Sequence, residues 1–178
     1  MNIVPTSLLD VVIIEPRVFV DERGYFFESF KENVFHEKIG SIHFVQDNVS
    51  KSLSGTIRGL HFQVGEYAQG KLCQVLLGKV LDVAVDLRRH SPTFGKHVAI
   101  ELSDENKRQI WIPPGFAHGF SVLSDSAIFV YKCTNYYHKE SERTLLYNDP
   151  DLHIDWKVTN PIISMKDQQG LRLKDLPL

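Results

Sequence analysis

The sequence is poor in cysteine and contains no long run of basic or apolar residues, and each shortage excludes a class of protein. Its 178 residues include two cysteines, Cys73 and Cys133, no basic run of five residues and no apolar stretch of membrane-spanning length. A disulfide scaffold, a nucleic-acid-binding protein and a membrane protein are therefore not expected. Both cysteines stand in apolar, strand-like runs, which predicts reduced thiols in the core.

The N-terminal segment also lacks the pattern of a secretory signal. Residues 1–16, MNIVPTSLLDVVIIEP, contain no basic segment followed by a long apolar stretch. Together with reduced cysteines, this favours a cytoplasmic protein.

The overall composition is that of an ordinary globular protein. Hydrophobic residues make up 43% of the chain, charged residues 24%, and the net charge is −2. The length suits one domain with a sizeable core, which we expect to span residues 1–178.

Strand patterns dominate the chain. In VLDVAVDLR (80–88), apolar residues at odd positions alternate with mostly polar residues at even positions, which predicts a half-buried strand. KLCQVLL (71–77) predicts the preceding strand, and Gly78–Lys79 fits a two-residue hairpin turn between them. Eight further segments have strand patterns: VVIIEP, YFFESF, HFVQDNVSKS, TIRGLHFQ, HVAIELS, RQIWIP, GFSVLS and AIFVYKCTNYY.

Helix patterns are few. In SFKENVFHEKIG (29–40), Ser29 and Glu32 fit a capping box and Gly40 fits a helix stop. A second short helix is predicted near the C-terminus. About ten short strands separated by turn residues predict an all-β fold, a jelly-roll barrel or sandwich with a few short peripheral helices.

The stretch GTIRGLHFQ (55–63) raises the question of what His61 does. Gly55 and His61 resemble the first motif of the cupins, a family of small jelly-roll barrels. The stretch PPGFAHGFSV (113–122) resembles their second motif and includes His118. The resemblance implies a cupin-like barrel.

The usual metal ligands of cupins are incomplete in this chain. Gln63 and Val122 stand where further ligands are expected. Because a catalytic transition metal usually needs three protein ligands, we expect no bound metal. His61 is then available for proton transfer, although a histidine packed in the core is the alternative.

The neighbours of His61 favour a site. By strict alternation, positions 57, 59, 61 and 63 share one face, and Gly59 is expected to leave open space beside the imidazole. Arg58 would then face away from His61, unless a bulge near Gly55 and Gly59 re-aims it.

Seven motifs in order give a more specific resemblance, over about residues 3 to 170. The chain is similar to the dTDP-4-dehydrorhamnose 3,5-epimerase family in DERGYFFESF, FVQDNVSKS, GTIRGLHFQ, QGKLCQVLLGKVLDVAVDLR, IPPGFAHGF, VYKCTNYY and YNDPDLHIDW. The resemblance implies a dTDP-linked 4-keto-6-deoxyglucose substrate. The reaction would be cofactor-free deprotonation and reprotonation at the ring carbons beside the ketone, carbons 3 and 5.

The resemblance also implies roles for individual residues. His61 resembles the general base and Asp167 the carboxylate that orients it. Tyr131 resembles the general acid, and Lys71 the cation that stabilises the enolate oxygen. The implied substrate-binding residues are Arg23, Phe26, Glu28, Gln46, Asp47, Asn48, Arg58, His118, Glu142 and Lys166, with Phe26 and Tyr137 as aromatic surfaces for the thymine base. Trp111 and Trp156 are expected to be structural.

Other functions remain open from the sequence. Within the same chemistry, the chain would epimerise carbon 3 or carbon 5 alone, or shift the ketone along the ring. Outside it, the alternatives are a non-catalytic cupin that binds a sugar or a metal and a metal-dependent oxygenase or hydrolase, which Gln63 and Val122 disfavour. We expect a homodimer, because N-terminal edge strands around VVIIEP would otherwise expose unpaired backbone groups.

Overall fold

The computed structural model describes residues 1–177, and most of its regular structure is short strands. The strands are β1 (Asn2–Pro5), β2 (Val12–Glu15), β3 (Phe19–Asp21), β4 (Gly24–Phe26), β5 (Gln46–Leu53), β6 (Ile57–Gln63), β7 (Lys71–Leu77), β8 (Lys79–Asp86), β9 (His97–Ser103), β10 (Gln109–Ile112), β11 (Phe116–Val122), β12 (Ser126–Cys133) and β13 (Glu142–Thr144). The helices are α1 (Glu32–Lys38), α2 (Met165–Gln168) and three 3₁₀ helices, Gly65–Tyr67, Lys139–Ser141 and Leu173–Asp175.

Two open antiparallel sheets form the body of the fold. One has the strand order β1-β2-β10-β7-β12-β5 and the other β13-β6-β11-β8-β9, while β3 and β4 pair separately as a hairpin. This confirms the prediction of an all-β, cupin-like jelly-roll sandwich with a few short helices.

The main core lies between the two sheets. Every second side chain of a strand points to the same face, so each sheet contributes alternate residues to it. Members from the six-stranded sheet include Cys73, Ile110 and Phe129, and members from the five-stranded sheet include Val80 and Phe120. Two further apolar clusters cover the outer faces of the sheets.

β8 is buried on both faces, so the prediction of a half-buried strand is wrong. Leu81, Val83 and Val85 pack with the C-terminal residues Leu152 and Trp156 rather than facing solvent. The other face turns toward the six-stranded sheet. Alternation identified the strand, but burial of the second face depends on a segment distant in sequence.

The predicted hairpin between β7 and β8 is also wrong. β7 pairs with β10 and β12, whereas β8 pairs with β9 and β11. Gly78, at φ 79°, is the point at which the chain passes from one sheet to the other. A glycine turn between two strands is compatible with either connection.

α1 begins later than its predicted capping box. Lys31 is the N-cap residue and makes no side-chain cap hydrogen bond, so the Ser29–Glu32 capping box is wrong. The helix is fixed instead by Phe35, which is buried against Trp111 on the outer face of the six-stranded sheet. Gly40 follows the C-cap Ile39, in agreement with the predicted stop.

The thiols and the tryptophans lie where the sequence predicts. Cys73 and Cys133 are free and buried in β7 and β12. Trp111 and Trp156 are both buried in apolar clusters. Within residues 1–177, no helix has the length and apolar character needed to cross a membrane.

Candidate active site

A bulge in β6 sets the direction of the side chains around His61. Two residues of β6, Gly59 and Leu60, oppose the single residue Gly119 of β11, so the register shifts by one position. Side chains before and after the bulge therefore do not follow one strict alternation. Ile57 and Leu60 share the outer apolar cluster although they are three positions apart.

The bulge turns Arg58 to the same side as His61. The Arg58 guanidinium donates from Nε to Ser52 Oγ on β5, in the opposite sheet, at 2.8 Å. The direction expected from strict alternation, away from His61, is therefore wrong. The alternative prediction, that a bulge turns the Arg58 side chain, is confirmed.

Gly59 does not leave open space, contrary to the sequence prediction. A Cβ atom on this glycine would lie 2.5 Å from Gly119 Cα and 2.9 Å from the His118 carbonyl oxygen. The glycine is required because two backbones approach each other closely, and its φ of 131° also favours glycine. The open space beside His61 lies instead on the side of the imidazole that faces β7 and β12.

His61 is paired with Asp167 across more than half of the chain. The imidazole donates from Nε2 to Asp167 Oδ1 at 2.6 Å, and Asp167 Oδ2 accepts from the Gly59 amide at 3.2 Å. Ser164 caps α2 by accepting the Asp167 amide at 3.1 Å, which fixes the backbone of the carboxylate. Because Nε2 carries the donated proton, Nδ1 keeps its lone pair and is the basic atom.

The surroundings keep Asp167 ionised. Burial acts to raise its pKa, but the hydrogen bond and charge of His61 and the hydrogen bond from Gly59 outweigh burial, so the pKa lies below its usual value. An ionised Asp167 holds one imidazole tautomer and stabilises the imidazolium that forms when His61 accepts a proton.

Lys71 and Tyr131 lie on neighbouring strands of the opposite sheet, with the ammonium 5.9 Å from the tyrosine ring centroid. Burial raises the pKa of Tyr131 to about 12, so the phenol stays protonated at neutral pH. Burial lowers the pKa of Lys71, while the negative charges of Asp82 and Glu142 act against this shift. Lys71 Nζ also donates to the His61 carbonyl oxygen at 3.4 Å.

These side chains share one open pocket of about 290 Å³ between the two sheets. Three of the predicted catalytic residues, His61, Lys71 and Tyr131, line it directly, and Asp167 lies behind His61. The remaining lining residues are Gln46, Asn48, Phe62, Gln63, Gln69, Tyr137 and Glu142. The pocket therefore brings a base, a neutral phenol and a cation to one cavity, which is an arrangement for moving protons at carbon.

A chain of polar contacts forms the rim beside His61. Glu142 accepts from the Tyr137 hydroxyl at 2.9 Å and pairs with Lys166 Nζ at 2.5 Å. Burial acts to raise the Glu142 pKa, but the hydrogen bonds from Lys166 and Tyr137 and nearby positive charges leave it below its usual value. Lys166 precedes Asp167, so one short helix, α2, contributes to both the rim and the base.

Arg58 does not line this pocket, and four more of the predicted substrate-binding residues lie apart from it. Arg23 and Phe26 line an open cavity on the β3–β4 hairpin, and Glu28 pairs with Lys31 at 3.3 Å. Asp47 pairs with Lys132 at 3.0 Å and does not line the His61 pocket. Their contacts with substrate stay predictions.

His118 is buried beneath the pocket rather than on its wall. Its Nε2 donates to Asp82 Oδ2 at 2.9 Å, and burial lowers its pKa, which favours the neutral ring. The other oxygen of Asp82, Oδ1, is buried without a hydrogen-bond partner. A role of His118 in substrate binding also stays a prediction.

Within the described part of the chain, two groups of three side chains have the spacing of metal ligands: Cys73–Asp82–His118 and Glu32–His36–His43. In each group a histidine nitrogen is already engaged, by Asp82 in the first and by the Ile42 carbonyl in the second. Neither group opens on the His61 pocket. The expectation of a metal-free site stays a prediction.

Three lining residues, Phe62, Gln63 and Gln69, have no role predicted from the sequence. Gln63 is predicted only to share a face with His61 and to be a poor metal ligand, and Gln69 only opens the QGK motif. Buried amides that bind backbone groups of distant loops have no local sequence pattern, so only the fold shows them.

The chain is similar to known proteins over nearly its whole length. A sequence model of the dTDP-4-dehydrorhamnose 3,5-epimerase family matches residues 5–175. The chain is 56% identical over 176 residues to the dTDP-4-dehydrorhamnose 3,5-epimerase of Shigella flexneri, covering 98% of this chain and 97% of that protein.

Solved structures agree. A dTDP-6-deoxy-D-glucose-3,5-epimerase from Legionella pneumophila, in complex with dTDP-4-keto-L-rhamnose, has a TM-score of 0.95 and 52% identity, covering 98% of this chain and 94% of that one. A 3′-monoepimerase from Streptomyces bikiniensis, in complex with dTDP-quinovose, has a TM-score of 0.91 and 31% identity, covering 96% and 87%. With a family match over nearly its whole length, the chain belongs to the dTDP-4-dehydrorhamnose 3,5-epimerase family.

Proposed function

We propose that the protein is an isomerase that converts dTDP-4-keto-6-deoxyglucose to dTDP-4-keto-rhamnose by inverting carbons 3 and 5. The observation that carries this proposal is the His61–Asp167 pair, 2.6 Å apart, opening on a pocket shared with Lys71 and Tyr131. Relatives that are 50–56% identical have the name of this activity.

His61 is proposed as the base. The ketone acidifies the hydrogens on the two flanking ring carbons, and Nδ1 removes one of them as a proton. The C–H electron pair moves toward the carbonyl, giving an enolate with its charge on oxygen. Asp167 stabilises the resulting imidazolium, which is the reason for a carboxylate on the far nitrogen.

Lys71 and Tyr131 are proposed to complete the reaction. The Lys71 ammonium, fixed in the pocket wall, stabilises the developing charge on the enolate oxygen without large reorganisation. The Tyr131 phenol then delivers a proton to carbon from the opposite face, which inverts the centre. The phenolate then takes a proton from solvent and the His61 imidazolium releases one to solvent, so both groups end each cycle unchanged and no cofactor is required.

The nucleotide part of the substrate is proposed to lie toward the pocket rim. Gln46 and Asn48 supply amide groups there. Arg58 does not line the pocket, but it faces the same side of β6 as His61, and its guanidinium suits pyrophosphate oxygens. Tyr137, 54% exposed at the rim, offers an aromatic surface for the thymine base.

A single epimerisation is the alternative within the same fold. The structural similarity to a 3′-monoepimerase means that the sandwich itself does not decide how many carbons react. A ketoisomerase would use the same base. The higher identity to 3,5-epimerases favours inversion at both carbons.

The protein is also proposed to act as a homodimer. All residues of β3 and β4 are exposed, and the hairpin carries large apolar side chains such as Phe19 and Val20. Exposed apolar surface of this kind is typical of an interface. Arg23 and Phe26 lie on the same hairpin, and they are proposed to reach the pocket of the partner chain.

Further expectations concern the organisation and location of the chain. One domain over residues 1–178 stays a prediction. A cytoplasmic location is proposed because the buried thiols Cys73 and Cys133 are unpaired, as suits a reducing compartment.

The proposal is tested by incubating the purified protein with dTDP-4-keto-6-deoxyglucose in deuterated water. We expect deuterium at carbons 3 and 5 without added metal. His61→Ala should lower the exchange rate by about 10²–10⁴-fold, which is the usual contribution of a general base.

The control is His43→Ala, which removes an exposed histidine outside the pocket and should leave exchange unchanged. Deuterium at one carbon only would select the single epimerase. A folded protein that gives no exchange at either carbon would exclude the proposed function.

A further inference from the structure

A buried amide ties together the two loops that form one wall of the His61 pocket. Gln63 Nε2 donates to the Tyr136 carbonyl oxygen at 3.1 Å, and Gln63 Oε1 accepts from the His138 amide at 2.7 Å. These two backbone groups flank Tyr137 on either side. We propose that Gln63 is a positioning residue that fixes Tyr137 as the base-binding wall of the pocket, an inference that rests on the proposed function.

The hydrogen-bonding capacity of this amide is already used. Nε2 has a second proton, which it donates to the Tyr67 carbonyl oxygen at 2.7 Å, and the residue is only 6% exposed. Both donor protons and one acceptor lone pair are therefore engaged by backbone groups. Gln63 acts on the substrate through its neighbours rather than by direct contact.

Tyr137 is held at its backbone amide and at its side-chain hydroxyl. Its own amide donates to Gln46 Oε1 at 2.9 Å, and its hydroxyl donates to Glu142 Oε2 at 2.9 Å. The residue is 54% exposed, and its ring has no aromatic stacking partner among residues 1–177. An exposed ring on a fixed backbone is preorganised to stack on a planar group, at a low entropy cost.

The third hydrogen bond of Gln63 reaches the other loop of the wall. Tyr67, which accepts it, stacks on His138 with ring centroids 3.8 Å apart and an interplanar angle of 10°. The Gln63 amide therefore links the 65–67 and 136–138 segments, which the Asn135 side chain also joins by donating to the Glu66 carbonyl oxygen at 2.7 Å. Loss of the Gln63 amide would loosen the position of Tyr137 while leaving His61, Lys71 and Tyr131 on their strands.

This geometry predicts an effect on nucleotide affinity rather than on proton transfer. Stacking of a base on an aromatic side chain contributes strongly to nucleotide binding, and here it depends on the placement of a loop residue. The ligand class is a pyrimidine nucleoside diphosphate, with or without its sugar.

The test compares Gln63→Glu with the unaltered protein. A carboxylate keeps the shape and still accepts from His138, but it repels the two carbonyl oxygens that the amide binds. We expect the Kd of dTDP, measured by calorimetry, and the KM of the keto-sugar to rise about tenfold, and kcat to change less than about threefold. Gln109→Glu is the matched control, because Gln109 is a buried glutamine outside this pocket, and it should leave Kd and KM unchanged.

A double variant separates positioning from a general structural role. If Gln63 acts through Tyr137, Gln63→Glu added to Tyr137→Ala should weaken dTDP binding no further than Tyr137→Ala alone. Independent, multiplying effects would overturn the inference, as would a fall in kcat with unchanged Kd. If Gln63→Glu does not fold, Gln63→Met, which keeps the length without polar groups, undergoes the same measurements. Calorimetry with dTDP needs no turnover, so failure of the proposed reaction would be seen separately.

Discussion

At the scale of single residues, the proposed proton acceptor and the proposed proton donor lie in different environments. His61 faces an ionised carboxylate and is 31% exposed, whereas Tyr131 lies in a drier position that raises its pKa to about 12. Burial therefore keeps Tyr131 in the protonated state that its proposed step needs at neutral pH, and Asp167 fixes the His61 tautomer whose Nδ1 faces the substrate. The difference comes from burial and partners, not from the residue types alone.

Tyr131→Phe tests this division of roles. The variant keeps the base and the cation, so abstraction and return of a proton on the same face should continue. Formation of the inverted product should fall about 10²-fold or more, because the acid on the opposite face is lost. The measurement is deuterium exchange alongside product formation, and equal turnover in variant and parent would exclude Tyr131 as the acid.

Lys71 should determine the alkaline limit of activity. Because burial lowers its pKa from the usual value and Tyr131 loses its proton only near pH 12, Lys71 is the first of the two to lose a proton, and with it its charge, as pH rises. The rate should fall as that charge is lost. Lys71→Arg keeps a charge that does not titrate in this range, so the decline should move to higher pH.

The measurement for Lys71 is the pH profile of kcat/KM for both proteins. Lys71→Arg should also be slower at neutral pH, by about tenfold, since a planar guanidinium does not place its charge at the same point. An unchanged alkaline decline in the variant would assign it to another group.

At the scale of elements, β6 is the part that simple periodicity described least well. The sequence identified His61 and its strand, and the bulge near Gly59 was foreseen only as an alternative. Whether a glycine marks open space or close approach depends on the partner strand, here Gly119 of β11. Pairing partners are not encoded locally, so Arg58 could not be oriented from the sequence.

Gly59→Ala should therefore be strongly destabilising and should also disturb the base. The added methyl would meet the β11 backbone at 2.5 Å, and the left-handed φ adds strain. The free energy of unfolding should fall by about 3 kcal/mol or more, from overpacking and strain together. Chemical denaturation provides this value.

Gly40→Ala is the matched control for Gly59. Gly40 has a comparable φ of 143°, but a Cβ there would meet no atom within 4 Å. Gly40→Ala should therefore lower the free energy of unfolding only by the backbone strain, about 1 kcal/mol. Equal losses for the two variants would show that close approach of the strands is not the reason for Gly59.

At the scale of the whole molecule, the positions of the strands are easier to predict from the sequence than which strands pair with each other. The β7 and β8 segments were found from their patterns, but their assignment to different sheets depends on β10 and β12 on one side and β9 and β11 on the other. Likewise, Asp167 reaches His61 only because the C-terminal segment folds over the five-stranded sheet. The resemblance to a family supplied that pairing, whereas spacing did not.

The proposed dimer gives the last prediction, because Arg23 and His61 would belong to one site contributed by two chains. Arg23→Ala and His61→Ala should each be nearly inactive at limiting substrate. In an equal mixture allowed to exchange subunits, half of the dimers are mixed, and each mixed dimer has one site without either change. Activity should therefore recover to about a quarter of the unaltered level.

If Arg23 instead acts within its own chain, each chain has one defect in its own site and mixing restores nothing. Lys51→Ala, which alters an exposed residue outside the pocket, serves as the control partner for Arg23→Ala in the same exchange.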